Sequence, residues 1–123
     1  MAKGDDIQER LINFAVQIIE LASALPNTTA GRHVSGQILR SGTSPAPNYG
    51  EARSAESTGD FVDKLKVSLK ELNETMVWLQ IIRRSKMISP DECAELENTC
   101  IGLCRIIGAS VRTAFKNHKK NNN

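Results

Sequence analysis

At 123 residues the chain is long enough for one hydrophobic core and too short for two, and 40% apolar with 24% charged residues excludes a chain unstructured throughout. Aromatics make up only 4%, so the core must be built from Leu, Ile, Val and Ala, the side chains that interdigitate between helices. The net charge of +2 is unevenly spread: residues 1 to 97 hold 11 Lys and Arg against 14 Asp and Glu, while residues 98 to 123 hold five basic residues and no acid.

No apolar run reaches the roughly 18 residues of a membrane span, and the start turns acidic at Asp5 and Asp6 where a secretory leader turns apolar. A cytoplasmic protein without membrane contact is expected. Cys93, Cys100 and Cys104 cannot all pair within one chain, so reduced thiols are expected.

In chain order, Ile7, Leu11, Phe14, Ile18, Ala22 and Leu25 alternate steps of three and four and predict a first helix over 7 to 25. Pro26 ends it, and Asn27, Thr28 and Thr29 offer capping oxygens for a second. That second helix, about 29 to 54, is interrupted by Gly42, Pro45 and Pro47. Each proline removes a backbone donor and crowds the carbonyl four residues earlier, here those of Ser41 and Thr43, so a kink over 42 to 47 is expected.

A third helix over about 60 to 86 carries Phe61, Leu65, Leu69, Leu72, Met76, Leu79 and Ile82 after a Ser57-Thr58-Gly59 start. Ser89-Pro90-Asp91-Glu92 is a helix N-terminal signature, with a capping hydroxyl, Pro at the first helical position and Glu placed to close a capping box. The fourth helix then carries Cys93, Leu96, Cys100, Leu103, Ile107, Ser110, Val111 and Ala114. The fold class expected is all-α, an up-down-up-down antiparallel four-helix bundle over residues 1–116, followed by a disordered polar tail over 117–123.

No catalytic set is visible. A di-metal carboxylate bundle needs Glu three residues before inward-pointing His, and neither His33 nor His118 has one. The three cysteines share a helix face, but no CxxC or nearby His completes a tetrahedral site, and buried Cys acts as a small hydrophobe. Phosphate-loop, dinucleotide, nucleophile-elbow and zinc-protease motifs are missing, so no enzyme activity, cofactor or metal is expected.

The unusual feature is a polar stripe on the second helix, Gln37, Ser41, Ser44, Asn48 and Glu51, where a bundle expects Leu, with Ser68 and Glu71 placed to face it. If buried, these groups must hydrogen-bond to one another or to backbone near the prolines, which fixes helix register. The alternative is a ligand or subunit contact at the kink. Arg83, Arg84 and Lys86 complement the dipole at the third helix's end and form a candidate phosphate contact.

The run Gly36 to Ser44, with Arg40, Asn48 and Glu51 in register and then Phe61, Leu65, Ser68, Glu71 and Leu72, resembles the four-helix-bundle family of 23S rRNA intervening-sequence proteins (S23-type) over nearly the whole chain. The sequence departs from the family pattern at Pro45 and Tyr49, at Pro47, and at Gly50 and Ala52. The resemblance implies a ring-like homo-oligomer, pentameric in known members, without established enzymatic activity. A related branch is the accessory protein of diversity-generating retroelements, a more strongly basic barrel that binds reverse transcriptase and nucleic acid.

Two functional readings follow. One is a non-catalytic homo-oligomeric module contacting structured RNA or a nucleoprotein through Arg83, Arg84, Lys86, Arg112, Lys116, Lys119 and Lys120. The other is a protein-only scaffold or accessory subunit that uses apolar side chains off the main stripes, Ile12, Ile19, Trp78 and Ile81, with Trp78 and Ile81 as the candidate oligomer contact.

Overall fold

The computed structural model describes the backbone of residues 3–121 and the side chains of residues 4–117. α1 (Lys3–Ala24) turns its stripe of Ile7, Leu11, Phe14, Ile18 and Ala22 fully inward, with Leu25 buried just beyond it. Asp5 and Asp6 in its first turn oppose the positive end of the helix dipole.

The chain turns at Pro26 and restarts as α2 (Thr29–Thr43), where the Gly31 N–H donates to the Thr28 hydroxyl at 3.0 Å and so closes an N-cap. After Ser44 the same rod continues as α3 (Pro45–Arg53). Ser44 keeps right-handed helical angles, φ −75° and ψ −35°, so the prolines interrupt the hydrogen-bond ladder without reversing the chain. The bend expected over 42 to 47 is present at Ser44.

α4 (Thr58–Ser85) starts with the Asp60 N–H on the Ser57 hydroxyl at 3.1 Å. It ends at Lys86, held in the left-handed region with φ 59°, with Lys86 and Met87 N–H groups bonded back to Arg83 and Ile82 carbonyls. Its buried face is Val62, Leu65, Ser68, Leu72, Thr75, Leu79 and Ile82. Phe61, Leu69 and Met76 pack against the core from one flank. The apolar stripe read from sequence is thus rotated from the true inner face, because Ser68 and Thr75 occupy core positions that a hydrophobicity pattern skips.

α5 (Pro90–Asn121) begins at the proline of the N-terminal signature, with the Cys93 N–H closing the first turn on the Ser89 carbonyl at 3.3 Å. It buries Cys93, Leu96, Cys100, Leu103, Ile107 and Ala114. Its backbone is helical through Asn121, and so into the segment 117–123 that the sequence reads as a disordered polar tail. Nothing from Phe115 to Asn121 breaks a helix: the segment lacks Gly and Pro.

Among the described residues the chain therefore makes four helical rods and no strand: α1, α2 with α3, α4, and α5. Consecutive rods pack side by side in up-down-up-down order. α1 lies against α2 and α3, the bent rod against α4, and α4 along α5, while α1 and α5 meet over a narrower contact that closes the bundle. No helix of the described residues is long and apolar enough to cross a membrane.

Candidate functional site

The polar stripe of the bent rod meets α4 in a seam of short hydrogen bonds. Ser41 and Thr75 are both fully buried, and the Thr75 hydroxyl lies 2.9 Å from Ser41 Oγ and 2.8 Å from the Glu71 carbonyl. Ser68, also buried, donates to the Pro45 carbonyl at 3.1 Å. The Asn48 amide donates to the Ser44 carbonyl at 3.0 Å and its hydroxyl at 2.9 Å, stapling the bend.

At the rim of this seam Arg40 bridges Glu71, at 3.0 Å, and Glu74, while the Trp78 indole N–H donates to Glu74 at 3.1 Å. His33 meets the Trp78 ring edge-on with centroids 6.0 Å apart. Glu51 is exposed and pairs with Lys64 at 3.1 Å, and Gln37 is half-buried.

Every buried side-chain nitrogen and oxygen of the described residues has a partner. These hydroxyls are engaged with carbonyls and with one another, and none is backed by a base that would make it a nucleophile. The bonds of Ser68 and Thr75 to the bent rod join it to α4 and are made only when the two are aligned. Thr75 completes the seam and was not among the residues singled out from sequence, although its spacing of seven from Ser68 is the signal that finds it.

The two basic groups named from sequence are not brought together. Arg84 and Lys86 stand exposed at the end of α4, whereas Arg112 and Lys116 stand exposed on the last turns of α5. Arg112 lies 22 residues beyond Pro90 in one continuous helix, so the groups are about 30 Å apart along the bundle.

Arg83 also departs from its expected role. Its guanidinium grips Glu97 of α5 in a two-pronged pair at 2.7 Å and 3.2 Å, and Glu97 is 7% exposed. The hydrogen bond to Glu97 raises the Arg83 pKa further above its ordinary value. Arg83 is thus a clamp between α4 and α5 rather than a free phosphate contact. The side chains of Lys119 and Lys120 lie outside the described residues.

Arg105, seven residues before Arg112, is exposed and extends the same outward stripe, Arg105, Arg112 and Lys116, which the spacing of seven and four on a helix reveals. Lys66 of α4 adds a fourth cation across the groove between helices, its Nζ 5.4 Å from the centroid of the Phe115 ring.

Of the off-stripe apolar side chains named from sequence, Ile12, Ile19 and Ile81 are exposed and Trp78 is not. Trp78 is half-buried and pinned by Glu74 and His33, so it is an edge of the core. Ile81 is 40% exposed. Val77, one turn before Ile81, is 54% exposed, and a second exposed group is on α1, where Ile12, Val16 and Ile19 are 42%, 47% and 46% exposed at helical spacing. Leu39, also exposed, follows Ser35 by four residues, and the Ser35 hydroxyl donates to the α1 carbonyl of Ala22, which sets Leu39 on the α1 side of α2.

Between the start of α1 and the second half of α5 a groove of about 610 Å³ is lined by Ile7, Tyr49, Phe61, Arg105 and Ile106, among others. Burial pushes the Tyr49 phenol pKa up, against the opposing pull of Arg53.

Among the cysteines, Cys93 and Cys100 are buried and Cys104 is half-buried. Cys100 Sγ lies 3.2 Å from the Leu72 carbonyl. The neighbouring Cys104 together with burial pushes the Cys100 thiol pKa up, while the Cys100 thiol holds that of Cys104 below its ordinary value; the Cys104 S–H is directed at Asn73 Oδ1, 3.5 Å away. Among the described residues no three His, Cys, Asp or Glu groups converge as metal ligands.

These features define an all-α bundle whose second rod is bent over a buried hydroxyl seam and whose last helix carries an acid-free basic stripe. The chain belongs to the 23S rRNA-intervening sequence protein family, whose profile matches residues 5–109. It is similar to the crystal structure of a protein of unknown function from the S23 ribosomal protein family of Bacteroides thetaiotaomicron. The two are 34% identical and superpose with a TM-score of 0.81, over 85% of this chain and 97% of that one. Among curated protein sequences nothing matches this chain.

Proposed function

We propose that the chain is a non-catalytic, homo-oligomeric bundle that contacts structured RNA or a nucleoprotein through the basic stripe of α5. The observation that carries this reading is electrostatic: from residue 98 onward α5 holds no acid, and Arg105, Arg112 and Lys116 project outward from it. A stripe of cations on one face of a rigid rod presents several charges to a phosphate backbone at once and releases its counterions on binding. Arg84 and Lys86, at the far end of the bundle, form a second and weaker patch, since four acids, Asp91, Glu92, Glu95 and Glu97, follow closely in α5.

The test is fluorescence anisotropy of a labelled rRNA hairpin titrated with the protein at low and near-physiological salt. Affinity is expected to fall about tenfold or more as salt rises, as for a few phosphate contacts. Salt-independent binding, or none at low salt, would sink the reading.

A second reading is favoured by the exposed α1 group. Ile12, Val16 and Ile19 with Leu39 form an apolar face that a monomer leaves in water, which suits a protein-only scaffold or accessory subunit. In the first reading this face, with Ile81 of α4 as a second contact, joins copies of the chain.

A further inference from the structure

We propose that Phe115 is a stacking platform for one unpaired base of a bound RNA, with Lys66, Arg112 and Lys116 holding the phosphates on either side of it. This deepens the RNA-contact reading above and rests on it.

The chain has three phenylalanines. Phe14 is 1% exposed in the core and Phe61 packs against it, but Phe115 is 50% exposed. A ring that contributes so little to the core stands where the surface is most basic. Arg112 lies one turn before it on α5 and Lys116 beside it, both exposed. From α4, Lys66 places its ammonium 5.4 Å from the ring centroid, within cation–π range. Acids stand nearby on α4, Asp63 one turn before Lys66 and Asp60 in the first turn.

A cation cluster alone binds paired and unpaired RNA alike, because both present phosphates. An exposed aromatic ring set among the cations changes that, since the face of a splayed-out base can cover it and a base held in a stem cannot. The exchange conserves what the surface already has: Lys66 leaves an exposed ring for a phosphate, and the base takes its place over the ring. A protein partner seated on Phe115 would instead have to strip water from three cations at once without supplying the row of phosphates that an RNA strand offers.

The experiment compares a labelled hairpin with a uridine loop against a fully paired duplex of equal length, each titrated at low salt with the full chain. The loop RNA is expected to bind more tightly than the duplex. Phe115→Ala should weaken loop binding about tenfold and leave duplex binding unchanged, while Phe115→Trp restores loop affinity. Lys66→Gln and Arg112→Gln should weaken both RNAs and flatten their salt dependence.

The loop-to-duplex ratio is read on one preparation, so a partly unfolded variant cannot mimic the effect. Equal affinity of wild type and Phe115→Ala for the loop, with salt-dependent binding intact, overturns the stacking role and leaves the RNA-contact reading standing. Absence of binding to either RNA at low salt overturns both.

Discussion

Gly42 and Gly36 sit in the same helix, yet a side chain at each would meet opposite conditions. A Cβ at Gly42 would lie 2.6 Å from Ile18 Cγ2, where α1 and α2 come closest, whereas a Cβ at Gly36 would meet nothing within 4 Å. Gly36→Ala should therefore raise stability by about 0.5–1 kcal/mol through reduced unfolded-state freedom. Gly42→Ala gains the same term but must force Ile18 aside, and a net loss of about 1 kcal/mol is expected in urea denaturation. Gly31→Ala should lose more than either, because its Cβ would fall 1.9 Å from the Pro26 carbonyl oxygen, which belongs to backbone and cannot swing away.

Cys104 differs from its neighbours in the direction of its pKa, which the adjacent Cys100 thiol lowers. With its pKa held down by Cys100, it forms thiolate at a lower pH than an ordinary thiol, while burial pushes Cys93 up. In a mass-spectrometric alkylation series Cys104 should react first in the folded protein, with a midpoint below that of the urea-unfolded chain. Cys100→Ala removes that thiol and should move that midpoint upward; an unmoved midpoint would contradict the contact.

At the scale of elements, the bent rod and α4 are registered by hydroxyls. Thr75→Val should cost about 1 kcal/mol, because it leaves the buried Ser41 hydroxyl with only its long 3.5 Å bond to the Ile38 carbonyl. Adding Ser41→Ala removes the poorly satisfied hydroxyl as well, so the double variant should be more stable than the sum of the single losses. A thermodynamic cycle from urea midpoints reads this directly, and strict additivity would mean the two hydroxyls are not coupled.

The same seam explains why the stripe of α4 was misplaced by a fraction of a turn. A hydrophobicity pattern follows Leu69 and Met76, which pack on the flank of the core, whereas the fold buries Ser68, which the polar stripe already pointed to, and Thr75, whose hydroxyl reaches Ser41 across the interface. The bend itself was legible, since Pro45 and Pro47 forbid an unbroken ladder in any fold.

For the whole molecule, the exposed Ile12, Val16, Ile19 and Leu39 form one surface contributed by two helices. If copies of the chain join there, Val16→Glu should reduce the mass in light scattering to that of the monomer while the helical circular dichroism signal is kept. An unchanged assembly would move the interface elsewhere. Because the basic stripe of α5 is separate from this face, the variant should still bind RNA, though with the weaker salt dependence of a single copy.

Sequence alone determined what depends on the chain's neighbours in order: four rods, their ends at Pro26, Ser57 and Pro90, the bend, and the acid-free run from residue 98. Those features rest on local sterics, capping and charge count, which no packing arrangement reverses. Tertiary structure decided which of the named residues are free to act. Arg83 looked like one of a cluster of cations until α5 brought Glu97 against it across a span of 14 residues. Trp78 looked exposed until α2 brought His33 to its edge. Phe115 became notable only when α4 laid Lys66 beside it. Pairings between distant segments are set by how helices rotate to bury their stripes, and small rotations redistribute charges and rings that a one-dimensional pattern cannot place.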